Sequence, residues 1–271
     1  MMSEEIVKFE KDERNIGWIT LNRPEVRNAF DEHMIARLSA LFDEIQNDQN
    51  IKAVVLKGAG KIFSAGADLD WMKRAADFSH NQNVADAEML AVMLNKLHCL
   101  NKLTIACVQG AAMGGGFGLI SCCDLVIADR QCNFSLSEVK LGLIPATISP
   151  YVLAAIGPRQ ARRFFQTGER FKGDKALEIG LAHEVVDGAD EMGACLDNIL
   201  KELNINGPHA MKEVKRLALD YAGKTIDGEM MEDSAERIAV VRSGAEAREG
   251  LTAFLEKRPA NWATSKKAGD K

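Results

Sequence analysis

Four short apolar runs recur through the first half of the chain, and stretches of helical spacing lie between them. The runs are 16–21, 53–58, 103–108 and 124–128; each is rich in branched or aromatic residues and ends at glycine or small polar residues, which reads as a strand. Over 31–46, Met34, Ile35, Leu38, Leu41, Phe42 and Ile45 recur at helical spacing, with Asp31 placed as a cap or first-turn acid. Residues 87–100 return to that spacing, and a third helix is expected after Gly114-Gly115-Gly116, through Phe117, Leu119 and Ile120. Strand alternating with helix predicts an α/β core with parallel strands. Residues 74–86 are polar without a clear apolar period, so a mobile loop or a short helix is expected there.

Beyond Ser149 the alternation gives way to helical stretches at 151–156, 160–167, 175–179, 191–203, 210–222 and 228–254. A composition shift at Asn204-Ile205-Asn206-Gly207-Pro208 divides the chain into a core over 1–204 and a helical region over 205–271. The tail, 264–271, is polar and expected to fray.

Charge narrows the function classes. A formal net charge of −5 weighs against nucleic acid as a partner, because such binding rests on many cations meeting phosphates. The first residues carry too many charges for a signal peptide, and no stretch approaches the ~20 apolar residues of a membrane span. A cytoplasmic protein is the default. The six cysteines form no C-x-x-C pair and no zinc-ligand spacing, and read as reduced, mostly core residues. Nothing points to a metal, flavin or nicotinamide cofactor.

Three segments carry candidate chemistry. In Phe63-Ser64-Ala65-Gly66-Ala67-Asp68-Leu69, small residues follow directly on a strand and let backbone N–H groups approach a ligand. Gln109 to Gly116 places glycines at an expected helix start, where N–H groups are unpaired and the dipole is positive. Two such donors on one oxygen would make an oxyanion hole. The third segment runs from Phe134 to Pro145, and its Glu138 adjoins an apolar stretch that reads as buried. A buried carboxyl favours its neutral form, which suits a general acid or base.

Taken together and in this order, the three segments resemble the crotonase (enoyl-CoA hydratase/isomerase) superfamily. So do Leu21-Asn22-Arg23-Pro24 with Asn28-Ala29-Phe30, the region from Gly168 to Val186, and Gly250 through Lys257-Arg258-Pro259. The resemblance implies an α/β fold, a spiral of ββα units followed by a helical trimerisation region, assembling as a homotrimer or a dimer of trimers. It implies an acyl-CoA thioester as the substrate, with coenzyme A part of it and no separate cofactor. Carried over residue by residue, the N–H groups of Ala67 and Gly115 match the oxyanion donors, and Glu138 the acid/base. Gly114 and Asp68, in the same two segments, are expected to contact the substrate. Ala65 and Leu69 resemble positions that contact adenine or pantetheine. Phe254 and Lys257 resemble residues that approach the CoA nucleotide from a neighbouring subunit, and Arg27 sits where CoA phosphates are touched.

One departure stands out. Two-glutamate hydratases carry another glutamate twenty residues before the one at 138, and Gly118 stands there instead. Within the superfamily, 64–72, 118–124 and 136–151 look like the bacterial methylglutaconyl-CoA hydratase branch, whose members also lack it. This implies hydration of a branched 2-enoyl-CoA, with Lys140, Arg162 and Arg163 as candidate anchors for a second substrate carboxylate. The competing expectations are a Δ3,Δ2-enoyl-CoA isomerase using Glu138 alone and a non-catalytic acyl-CoA- or RNA-binding member.

Overall fold

The computed structural model describes residues 5–263. They divide into two compact units, the first ending at Cys195 and the second beginning at Leu196.

The first unit is built on a six-stranded mixed sheet. Strands β1 (Val7–Lys11) and β2 (Ile16–Leu21) form an antiparallel hairpin. Its turn is set by the Asp12 carboxylate, which accepts the N–H groups of Arg14 and Ile16. Helix α1 (Glu32–Asn47) follows, with Asp31 accepting the Met34 N–H at 2.8 Å as its N-cap. The six apolar residues expected on its inner face are all buried. Strand β3 (Ala53–Gly58) lies parallel to β2, with Ile16 opposite Ala53.

Helices α2 (Leu69–Ala75) and α3 (His80–His98) occupy the polar stretch for which a mobile loop or short helix was expected. Most of that stretch is the first half of a 19-residue helix. Ser79 and Gln82 form a reciprocal capping box, and the early turns of α3 are exposed on most sides. The cap starts the helix where an apolar period has no core to face; Met93, Leu94 and Leu97 bury only its later turns.

Strand β4 (Leu103–Val108) leads to β5 (Ala111–Met113), α4 (Gly115–Ser121), β6 (Leu125–Asp129) and β7 (Asn133–Ser135). Helix α5 (Ser149–Thr167) merges two expected helices across a break at Gly157, whose φ of 73° precedes Pro158. Helix α6 (Gly173–Glu178) and strand β8 (Glu184–Val186) complete the sheet, in the order β1-β2-β3-β4-β6-β8. Every pairing from β2 onward is parallel, as strand–helix alternation requires. Phe117, Phe134, Phe164 and Phe171 pack ring on ring behind α4, at centroid distances of 4.4 to 6.4 Å.

A second, smaller ladder positions the site. It runs from Phe30 against Ala67, through Ser64 against Ala112, to β5 against β7 and Phe134 against Phe171. The glycine-rich segments of the sequence are its crossing points.

Helix α7 (Ala189–Leu203) carries the division between the units. In the second unit, α8 (Pro208–Tyr221) receives its N-terminal cap from a distant residue: Glu246 accepts the N–H groups of His209 and Ala210. The single stretch expected over 228–254 is two helices, α9 (Gly228–Ser243) and α10 (Ala245–Leu255), parted by extended backbone at Gly244. Neither α8 nor α9 holds a buried residue. The tail expected to fray lies outside the described residues.

Candidate active site

The chemistry-bearing residues of the first unit gather where β5 turns into α4. Gly66 and Gly114 touch: a methyl group on Gly66 would stand 2.9 Å from the Met113 carbonyl oxygen and 3.7 Å from Gly114 Cα. Both have positive φ, 93° and 47°, a region that L side chains avoid. The expected pair of glycine segments is therefore one junction of two backbones.

The direction of two N–H groups follows from their peptides. The Gly66 carbonyl accepts the Phe30 N–H at 2.7 Å, and Phe30 in turn accepts the Asp68 N–H at 2.8 Å. A trans peptide sends its C=O and N–H opposite ways, so the Ala67 N–H points away from Phe30. The Gly114 carbonyl accepts the Gly118 N–H at 3.0 Å, down the helix. The Gly115 N–H of the same peptide unit therefore points out of the N-terminus of α4, with no acceptor inside its own helix. A methyl group at Gly115 would strike the Phe30 ring at 2.9 Å, and one at Gly116 would strike Ser64 at 2.7 Å. Close approach demands glycine at both positions.

Glu138 reaches this junction from the 3₁₀ turn Glu138–Leu141. Its Oε1 would lie 3.2 Å from a methyl group on Gly114. Its Oε2 is buried without a hydrogen-bond partner. Burial pushes the carboxyl above its ordinary range, and its own backbone N–H offsets only part of this. The apolar segment after it is not buried, contrary to expectation: Leu141, Leu143 and Ile144 are exposed. What desolvates Glu138 lies before it, where Phe134, Ser135 and Leu136 are buried, and across from it at α4.

Position 118 has a structural explanation. A methyl group on Gly118 would lie 2.6 Å from Ile148 Cβ and closer still to its Cγ2. Ile148 is itself buried. No side chain fits at 118 unless Ile148 moves.

A network that the sequence reading missed holds the Ala67 segment. Arg23 spans Asp31 and Asp68, with its Nη atoms 3.0 Å from a carboxylate oxygen of each, and also donates to the Ala29 carbonyl. The two carboxylates are the N-caps of α1 and α2. Burial alone would raise Asp68; the N–H groups of Trp71 and Asp70 and the Arg23 guanidinium outweigh it and hold the carboxyl below its ordinary range. Asn28, fully buried, donates to the Ala59 and Ile62 carbonyls, and Ser64 bonds both the Asn28 carbonyl and the Gly66 N–H. The sequence signal was present in Arg23 and Asn28, polar residues inside an apolar neighbourhood.

Ala65 is half-buried, and its N–H bonds the carbonyl of Arg27, which is exposed with φ at 59°. Leu69 is exposed. Both Asp68 oxygens are engaged by the scaffold, by Arg23 and by the N-terminus of α2. Arg163 is paired with Glu169 at 2.6 Å, whereas Lys140 is exposed. Phe254 and Lys257 belong to the second unit, Phe254 exposed and Lys257 with φ at 55°. Half of the six cysteines, Cys107, Cys122 and Cys132, are buried, and none is in a disulfide. Among the described residues, no group of three or more His, Cys, Asp or Glu could hold a metal ion, and no helix is long and apolar enough to cross a membrane.

Comparison with known proteins agrees with the geometry. The sequence pattern of the enoyl-CoA hydratase/isomerase family matches residues 11–265. An enoyl-CoA hydratase from Shewanella pealeana superposes with a TM-score of 0.92 at 41% identity, covering 96% of this chain and 97% of that one. An enoyl-CoA hydratase/isomerase from Marinobacter aquaeolei gives 0.90 at 36%, covering 96% and 100%. The short-chain-enoyl-CoA hydratase of Clostridium acetobutylicum is 32% identical over 91% of this chain and 93% of its own. The mixed-sheet α/β fold is thus that of the crotonase structures, and the chain belongs to the enoyl-CoA hydratase/isomerase family.

Proposed function

We propose that this enzyme hydrates a branched 2-enoyl-CoA, with 3-methylglutaconyl-CoA as the leading substrate, to the 3-hydroxyacyl-CoA. The observation that carries the reading is the half-buried Glu138, one of whose carboxyl oxygens is buried without a partner, beside the N-terminus of α4. In this mechanism the Ala67 and Gly115 N–H groups hold the thioester oxygen. Glu138 takes a proton from water as its oxygen bonds to C3, and the C2=C3 electron pair moves onto the thioester as an enolate. Glu138 then returns the proton to C2. One water is added on one face, and the carboxylate is regenerated. The donors act most strongly when negative charge sits on the oxygen, so they lower the barrier more than they tighten binding.

Several assignments belong to the same proposal. Arg27, Ala65 and Leu69 contact the CoA portion, and Phe254 and Lys257 do so from a neighbouring protomer of a homotrimer or dimer of trimers. With Arg163 paired to Glu169, Lys140 and Arg162 are the better anchors for a second substrate carboxylate.

A second reading, Δ3,Δ2-isomerisation, is favoured by the packing of Ile148 on Gly118, which leaves Glu138 without a companion acid at that position. One carboxyl suffices to carry a proton between C4 and C2. Incubation with 3-methylglutaconyl-CoA, crotonyl-CoA and a 3-enoyl-CoA, followed by mass, separates the two. Gain of one water on the branched substrate alone supports hydration; double-bond migration at constant mass replaces it with the isomerase.

A further inference from the structure

Gly114, Gly118 and Cys122 follow one another at single-turn intervals along one face of α4, linked by the Gly118 N–H to the Gly114 carbonyl and the Cys122 N–H to the Gly118 carbonyl. Glu138 stands over the first of these positions and Ile148 over the second. Four residues of helix rise about 6 Å, so Ile148 sits a short acyl chain's length beyond the carboxyl. On the acyl-CoA reading of the site, the thioester oxygen sits at the helix N-terminus and the reacting carbons lie at Glu138. The rest of an acyl group that continues along this face runs toward the Ile148 side chain. The three atoms nearest a methyl group at Gly118 all belong to Ile148, so the missing side chain at 118 and the bulk at 148 are one steric feature, split between two residues.

We infer that Ile148 is the specificity-determining wall of the acyl pocket, and that Gly118 is its obligate steric complement. The inference rests on the acyl-CoA reading of the site. It assigns a limit on the size of the acyl group at the end remote from the thioester to one named contact.

The test compares kcat/KM for a graded set of 2-enoyl-CoA thioesters, unbranched and branched, in the wild type, Ile148→Val, Ile148→Ala, Gly118→Ala and the double variant Gly118→Ala/Ile148→Ala. Thermal melts accompany each protein. A methylene-sized change in an apolar pocket alters selectivity by about tenfold or more. Ile148→Ala is therefore expected to shift preference toward the bulkier acyl groups by about that factor, with Ile148→Val shifting it part of the way. Gly118→Ala is expected to lose turnover on all substrates, and the double variant to recover it on at least the smaller ones. Should Ile148→Ala fail to fold, the valine variant and the double variant still decide. Uniform loss across substrates in the Ile148 variants, with selectivity unchanged, overturns the inference and leaves the functional reading intact. So does a Gly118→Ala variant as active as wild type. A wild type that turns over none of the thioesters overturns the functional reading, and this inference with it.

Discussion

Glu138 is a carboxyl kept in a place that favours its neutral form, and that placement has a cost the protein can be relieved of. Its folded-state pKa is raised above the unfolded value, so the stability it contributes is full at low pH and is lost as pH rises through the folded pKa. Glu138→Gln, which cannot ionise, is expected to raise the melting temperature at pH 8 and to leave it nearly unchanged at pH 4. The same substitution should lower kcat by about 10²–10⁴-fold. An unchanged melt at pH 8 would mean that solvent reaches the carboxyl; preserved turnover would remove it from the mechanism. Gly114→Ala is a second test at this scale. With φ at 47° and Glu138 Oε1 3.2 Å from the added methyl, it should destabilise by about 1–3 kcal/mol and displace the carboxyl. Circular dichroism and turnover together check this. Glu138 and the two glycine segments stood out in the sequence by their order along the chain, since each alone reads as an ordinary turn or helix-start residue. Ile148 did not, since an isoleucine in an apolar stretch gives no sign of which empty position it fills.

At the scale of elements, Arg23 joins the starts of two helices, and the Ala67 segment lies between them. A lysine has the charge but not the fork, and cannot reach both carboxylates with planar geometry. Arg23→Lys is expected to lower kcat on the order of ten- to a hundredfold, as small misplacements of a catalytic group do, with little change in KM. A variant in which KM rises while kcat holds would make Arg23 a binding residue instead. Asp68→Asn, weakening a cap and an ion pair, should destabilise by about 1 kcal/mol. Because the Asp68 pKa is depressed, its contribution is present above the ordinary carboxylate range and fades as pH falls through the folded value, so wild type and variant should converge in acid melts. Helices with one buried face, such as α1, and strands buried on both sides, such as β3 and β4, could be read from apolar spacing alone. The first half of α3 could not, because its early turns meet solvent and its start is written in Ser79 and Gln82. Strand β1 went unread as well: Val7 and Phe9 alternate with charged residues, a pattern too short to separate from the charged segment around it.

For the molecule as a whole, the two units differ in how they hold themselves together. The first buries a continuous apolar core running from Val7 to Ala182. The second exposes Val214, Met231, Ile238, Val240, Leu251, Phe254 and Leu255 on its helices. Amphipathic helices gain most of their stability by burying a face, and α8 and α9 bury no residue within the chain. Light scattering coupled to size exclusion is expected to give a mass of three or six chains, and a monomer at micromolar concentration would count against the proposed trimer. The composition shift at 204–208 lies beyond the division at Cys195 and Leu196, which falls inside α7, where unbroken helical spacing gives no sign of it. The two donors proposed at the junction of Gly66 and Gly114 belong to peptide bonds, so no exchange of amino acids deletes either one cleanly, and the side chains around them can diversify without touching them. Editing one calls for synthetic chemistry: an ester in place of the Gly114–Gly115 amide, installed by semisynthesis, exchanges the N–H donor for an oxygen, weakens the Gly114 carbonyl that accepts the Gly118 N–H, and leaves every side chain as it was.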